Sequence, residues 1–507
     1  MASTTPNTHE PNWQSITAER RAHLDALIPA EWKLDEGFKS SLPADGRLLQ
    51  ADPVRKSGIL TEVELEITEK CSAGQLLLRL ACGEVRSVDV TRAFCKRAAV
   101  AQQLTSCLTE HFFSRALERA QYLDDYLQRE GKVVGPLHGL PISLKDTYCL
   151  EGIDTTAGYV SFLKNGPVKE NSALVNLLLD LGAVLYVRTN IPQTLMTGDS
   201  DNNIYGRTLN PHNTALTAGG STGGEGALIA LRGSILGVGT DIAGSIRIPS
   251  LCCGLYGFKP TANRVPYGGQ ISGIPVGLPG IEPCAGPLAQ SLDDIELFMT
   301  TVLNGETWKY DSTSISAPWN NNPDNSRSSL PPPPARPPWQ YFTLSPPPDH
   351  ISASGEPFVP SVAKRSSPLF TGPLPVPQDL DIFTKMAALH NVRQELTDSW
   401  RKTFTEYNLD VVLAPGAQNT AVEHDTYGWP PYTALWNLVD YPAIIVPYGN
   451  ASAELDPEPM VMTDGVQPNY NPEAVNGMPC ALQIVAPRFQ DEKCLAAAKV
   501  IDRDIRA

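Results

Sequence analysis

What this chain lacks narrows the field first. Its ten cysteines (Cys71, Cys82, Cys95, Cys107, Cys149, Cys252, Cys253, Cys284, Cys480 and Cys494) form no C-x-x-C pair. They read as small apolar fillers in a reducing compartment, not as a disulfide framework. The eight histidines show no ligand spacing, so neither a metal nor a cofactor is called for. Positive charge is short: 40 Lys and Arg stand against 55 Asp and Glu, a formal charge of −15. That balance argues against nucleic acid and acidic membranes as partners. No apolar run reaches the roughly 18 residues of a membrane span. The opening residues Met1–Glu10 lack an apolar signal core. The chain is expected to be soluble and cytoplasmic, with no membrane span.

At 507 residues, 42% of them apolar, the chain can bury a large core. Its most informative stretch is Gly219–Ser250, GGSTGGEGALIALRGSILGVGTDIAGSIRIPS. Four glycines in six residues enclose Ser221 and Thr222. A short apolar run from Ala227 to Leu231 reads as a helix, and a second glycine-rich turn, Gly237 to Gly244, delivers Ser245. Glycine clusters mark positive φ or close backbone approach. A phosphate-binding loop would need Lys then Ser or Thr after its second glycine, and here the glycines lead into Glu225. Gly219–Gly223 fits the letters of a nucleophile elbow, but an elbow must leave a strand, and Asn210–Ala218 reads as a polar turn. A flexible loop without chemistry is the bland alternative.

The stretch does not stand alone. With Pro141-Ile142-Ser143-Leu144-Lys145-Asp146 upstream and Gly257-Phe258-Lys259-Pro260-Thr261 downstream, it resembles the amidase signature family over about Gly135–Leu303. The three segments agree with that family in order and spacing. The resemblance implies a hydrolase with Ser245 as nucleophile, Ser221 as a second serine held by a cis Gly220–Ser221 peptide, and Lys145 as base. It also implies an oxyanion hole of the amides of Ile242, Ala243, Gly244 and Ser245. Thr222, Thr240, Asp241 and Arg247 would support the site, Asp241 and Arg247 by ion pairing and hydrogen bonds to backbone. Ala243 stands where many members carry glycine, which is tolerable only if its φ is negative.

The chemistry explains the residue types. An amide carbonyl is a poor electrophile, so the attacking hydroxyl must be activated and the oxyanion stabilised. Lysine serves as a base only when neutral, which burial promotes. Leu140–Leu144 is an apolar strand candidate that would carry Lys145 inward.

Elsewhere, residues 1–58 read as an arm with a helix near Ile16–Leu27, and residues 59–507 as one α/β domain with a mixed sheet covered by helices on both faces. Thr61 with Glu64 makes a capping box, and Ser87 precedes the stripe Val90-Phe94-Ala98. Thr109–Leu127 reads as a helix, as do Ala173–Leu181, Leu292–Leu303 and Glu492–Arg503. Val184–Val187, Leu409–Pro415, Ile444–Val446 and Cys480–Ile484 read as strands. Met196 and Ile204 are open between substrate contact and packing; Trp429 and Trp436, between core and pocket wall. The tract from about 320 to 377 is too proline-rich for helix or sheet interior and is expected to be irregular. It reads as divergence or as mistranslation of one α/β element.

The expected function is cleavage of a carboxamide to a carboxylate and ammonia or an amine, in the manner of fungal acetamidase-like enzymes. The partner is a small amide substrate, and a homodimer is left open. Two alternatives stay beside it: an impaired relative acting as a binding protein, and a glutaminase-type subunit of a transamidating complex.

Overall fold

In the computed structural model the described residues are 12–271, 280–320, 328–329, 350–363, 379–462 and 468–506. Among them the strands are Leu108–His111 (β1), Pro141–Lys145 (β2), Val184–Thr189 (β3), Asp201–Asn202 (β4), Gly206–Arg207 (β5), Leu236–Asp241 (β6), Tyr256–Lys259 (β7), Cys284–Ala289 (β8), Ser328–Ser329 (β9), Val411–Pro415 (β10), Ala443–Asn450 (β11) and Pro479–Val485 (β12). All but β4 and β5 join one mixed sheet in the order β1-β3-β2-β6-β8-β7-β11-β12-β10-β9. β2 lies parallel to both β3 and β6, and β6 runs antiparallel to β8.

Every residue of β2, β3, β6 and β8 is buried, which requires cover on both faces. Helices Gly223–Ala230, Arg247–Cys253, Leu292–Leu303 and Asp491–Arg506 pack against the sheet. The α/β class expected from the sequence is therefore the one observed. The sheet sets up a site through its parallel centre. Adjacent parallel strands β2 and β6 end side by side, Ser143 opposite Gly237 and Leu144 opposite Val238, and loops at such ends converge on a crevice.

Several expectations shift. Thr109–Leu127 is not one helix: Leu108–His111 is a strand paired with β3, and the helix runs Phe113–Glu130. The sheet edge supplies hydrogen bonds that override local helical pattern. Ser87 is not a cap but the first residue of helix Ser87–Thr105, whose exposed amides are met by the Asp124 carboxylate, at 2.6 Å from Ser87 N and 3.0 Å from Val88 N. The second glycine stretch is largely strand, since Gly237 and Gly239 lie in β6. The Thr61–Glu64 capping box is present. The N-terminal helix spans Trp13–Leu27 and is capped by Asn12.

Of the proline tract, Ser328–Ser329 pairs parallel with Val411–Val412 at the sheet edge. Residues 350–363 dock instead of lying loose. Ile351, Val359 and Val362 are buried, and Pro360–Ala363 is a helical turn. The anchor is Glu356, whose carboxylate accepts hydrogen bonds from Val160 N, Gln193 Nε2 and Asn203 Nδ2 at 2.8–2.9 Å. The remaining positions of the tract between 321 and 377, with the expectation attached to them, lie outside the described residues.

Glu356→Ala leaves those buried donors unpaired and is expected to cost about 2 kcal/mol, read as a lower denaturant midpoint, with residues 350–363 cleaved first in limited proteolysis. An unchanged midpoint and cleavage pattern would refute this anchoring.

Candidate active site

Lys145 ends β2 and its side chain is fully buried. Its Nζ lies 2.7 Å from Ser221 Oγ and 2.8 Å from Thr240 Oγ1. Burial pushes the ammonium down to about 7, against the opposing pull of Asp241 and Glu225. A substantial neutral fraction of the amine near neutral pH follows.

Ser221 sits in the glycine loop, with the Gly220–Ser221 peptide cis as expected. No strand precedes it, so the nucleophile-elbow geometry is absent. Thr222 stands at the N-cap of helix Gly223–Ala230, its hydroxyl 3.4 Å from Thr240 O. The loop needs glycine because of how tightly it packs: a Cβ on Gly224 would fall 2.2 Å from Asn190 N and 2.5 Å from Cys107 O. The helix therefore starts at Gly223, four residues earlier than the apolar run suggests.

Ser245 follows β6 on the turn into helix Arg247–Cys253. Exposure rises from 0% at Lys145 through 2% at Ser221 to 8% at Ser245, so the serine of the second turn is the one nearest solvent. The recorded hydrogen bonds join Thr240, Lys145 and Ser221; none links Ser221 to Ser245 Oγ among the described residues.

The turn that carries Ser245 is tied down by Asp241. Its carboxylate accepts from the amides of Gly244 (2.8 Å) and Ile246 (3.1 Å), and pairs with Arg247 at 3.0 and 3.1 Å. Both side chains are fully buried. The Arg247 guanidinium beside it holds Asp241 well below the usual carboxylate range despite burial. Asn437 and Gln483, which sequence reading missed, complete the cage: Arg247 donates to Asn437 Oδ1 at 2.6 Å and Gln483 Oε1 at 2.8 Å. Neither stood out because each comes from a distant element with no motif around it.

Of the four amides expected to face an oxyanion, that of Gly244 is thus bonded to Asp241, leaving Ile242, Ala243 and Ser245 free of that carboxylate. The positive φ of the turn (127°) falls on Gly244, and Ala243 is not among the positive-φ residues. Its methyl is accommodated. Trp429 and Ala434 pack on Ala243, which puts Trp429 beside the nucleophile turn. Trp436 instead meets Trp400 at 4.8 Å between ring centroids and belongs to the core. Ile204 packs with Leu24, Val160 and Tyr205. Met196 is half-buried.

Glu225 was noted only as the residue that disqualifies a phosphate loop. It is fully buried, 2.7 Å from Ser143 Oγ. Among the described residues no His, Cys, Asp and Glu cluster suited to a metal occurs, and no helix is long and apolar enough to cross a membrane.

A family model described as Amidase matches residues 89–331 and 380–495. An amidase of Gibberella moniliformis is 38% identical across 98% of this chain and 100% of that protein. An acetamidase of Emericella nidulans is 36% identical across 97% of this chain and 98% of that protein. Among solved structures, a fatty acid amide hydrolase superposes with a TM-score of 0.84 at 30% identity, covering 98% of this chain and 96% of that one. A bacterial aryl acylamidase shares the fold, with a TM-score of 0.64 at 20% identity over 85% of this chain and 96% of that one. On this full-length agreement in sequence and fold, the chain belongs to the amidase signature family of hydrolases acting on amides.

Proposed function

We propose that this enzyme cleaves the C–N bond of a carboxamide through an acyl-enzyme on Ser245, with Ser221 and Lys145 as proton relay and base. The observation that carries the reading is the 2.7 Å contact between Ser221 Oγ and a fully buried Lys145 Nζ. A lysine so placed has a substantial neutral fraction near pH 7, and the neutral form accepts a proton.

Ser245 Oγ attacks the carbonyl carbon as its proton passes to Ser221 and that of Ser221 passes to Lys145. The carbonyl oxygen becomes an oxyanion, which the amides of Ile242, Ala243 and Ser245 stabilise. Collapse breaks the C–N bond, and the proton returns from Lys145 through Ser221 to the departing nitrogen. Water then attacks the ester by the reverse relay, releasing a carboxylate and regenerating Ser245. Gly244 was expected to join the oxyanion donors; its amide instead fixes the turn through Asp241. Likeness to proteins named amidase and acetamidase supports a small amide as substrate. A cytoplasmic setting remains part of this reading.

Ser245→Ala is expected to lower turnover of simple amides by several powers of ten and to abolish labelling by a fluorophosphonate probe. Equal labelling of wild type and variant would overturn the nucleophile. The pH dependence has a definite sign. Lys145 is active when deprotonated, so kcat/KM should rise with pH through a midpoint of about 7 and then level off. A profile that is flat through that range, or that falls, would overturn the base.

A further inference from the structure

Helix Gly223–Ala230 aims one carboxyl group at the strand that carries Lys145. Ser143 and Lys145 are two residues apart on β2 and so share a face of the strand. Glu225, in the first turn of the helix, meets that face with Oε2 at 2.7 Å from Ser143 Oγ. Its place is built into the fold. A Cβ on Gly237 of β6 would lie 2.5 Å from Glu225 Oε2, so only glycine there leaves room for the carboxyl.

The hydrogen bonds around Glu225 can be counted by proton. Ser143 Oγ is 2.8 Å from Ser234 Oγ, and Ser234 Oγ donates to the carbonyl of Leu236 at 3.0 Å. A carbonyl oxygen only accepts, and each hydroxyl owns a single hydrogen. With Ser234 donating to Leu236 O, Ser143 is within donor reach of both Ser234 Oγ and Glu225 Oε2 but owns one hydrogen. The three contacts therefore need three hydrogens where the two hydroxyls own two, and a protonated carboxyl supplies the third. Glu225 Oε1 is buried without a hydrogen bond of its own, an arrangement far less costly for a neutral acid than for an anion.

We propose that Glu225 is a protonated carboxylic acid behind the catalytic lysine and acts as a positioning residue that denies Lys145 a second counterion. The two carboxyls that act on Lys145 are Glu225 and Asp241. Asp241 is paired with Arg247. A proton on Glu225 removes one of these two negative charges, which leaves only Asp241, already shared with Arg247, to hold the buried amine as ammonium. The other titratable groups coupled to Glu225 are Cys107, Tyr148 and Tyr186, and burial pushes each upward, so all three are neutral as well. Burial drives Glu225 itself up to about 8, in the same direction as the proton count.

This inference rests on reading Lys145 as the base. Its direct test is infrared difference spectroscopy of the resting full-length enzyme, taken across the pH range in which activity rises. A carboxylic C=O band is expected there in wild type and absent in Glu225→Gln. Kinetics give a second readout. Glu225→Ala should lose at least about tenfold in kcat. Glu225→Gln, which keeps a neutral donor to Ser143, should recover most of that loss with the midpoint of the acid limb unmoved. Absence of the band in wild type would overturn the inference. So would a Gln variant no better than Ala, or one whose midpoint falls by about one pH unit or more, the signature of a removed anion. Lys145→Ala with retained turnover would overturn the base alone, because the infrared band reports Glu225 whatever the relay.

Discussion

The buried pair of Asp241 and Arg247 is the constraint on which the rest of the site depends. One carboxylate, fully enclosed, receives a guanidinium, an asparagine amide and three backbone amides. Breaking such a pair by removing one partner strands a charge in the interior, at a cost of about 3–5 kcal/mol. The consequence is geometric: the backbone between Asp241 and Arg247 has little freedom, and Ser245 lies in the middle of it. A second consequence is electrostatic. Asp241 also pulls Lys145 towards its ammonium form, but burial outweighs that attraction at the lysine.

Close packing sets the geometry on the other side of the relay. The glycine loop around Ser221 is pressed against Asn190 and Cys107 so tightly that side chains would collide. The glycines are thus less a source of flexibility than a means of bringing backbones together. The same applies at Gly237, whose missing side chain makes room for a carboxyl group near Lys145. Polar residues with no resemblance to a motif complete these arrangements: Asn437 and Gln483 around Arg247, and Ser143 and Ser234 around Glu225. Apart from the bond of Ser234 to Leu236, the partners that hold them lie far away in the chain.

Much of the sheet was legible because apolar strands and capped helices follow local rules. Helix Leu292–Leu303 has the limits read from its sequence, and the runs ending in Lys145 and Pro415 are strands. The errors share a cause. Thr109–His111 became strand because β3 offered partners, and the amides of Ser87 and Val88 were met by Asp124 from another helix. Residues 350–363 read as irregular because their anchor, Glu356, finds its donors at Val160, Gln193 and Asn203, more than 150 positions away in sequence.

The sequence by itself determined the residue types that amide cleavage requires, their order, and the strands and turns that carry them. Hydrophobic period, glycine clusters and caps are local, and they need no knowledge of neighbours. Only the tertiary structure decided the state of the groups: which lysine loses its solvent, which carboxylate gains a guanidinium, and which amide is already spent on Asp241. Charge state and hydrogen-bond occupancy depend on burial and on partners from other elements. Those partners meet only when the sheet and its helices have packed.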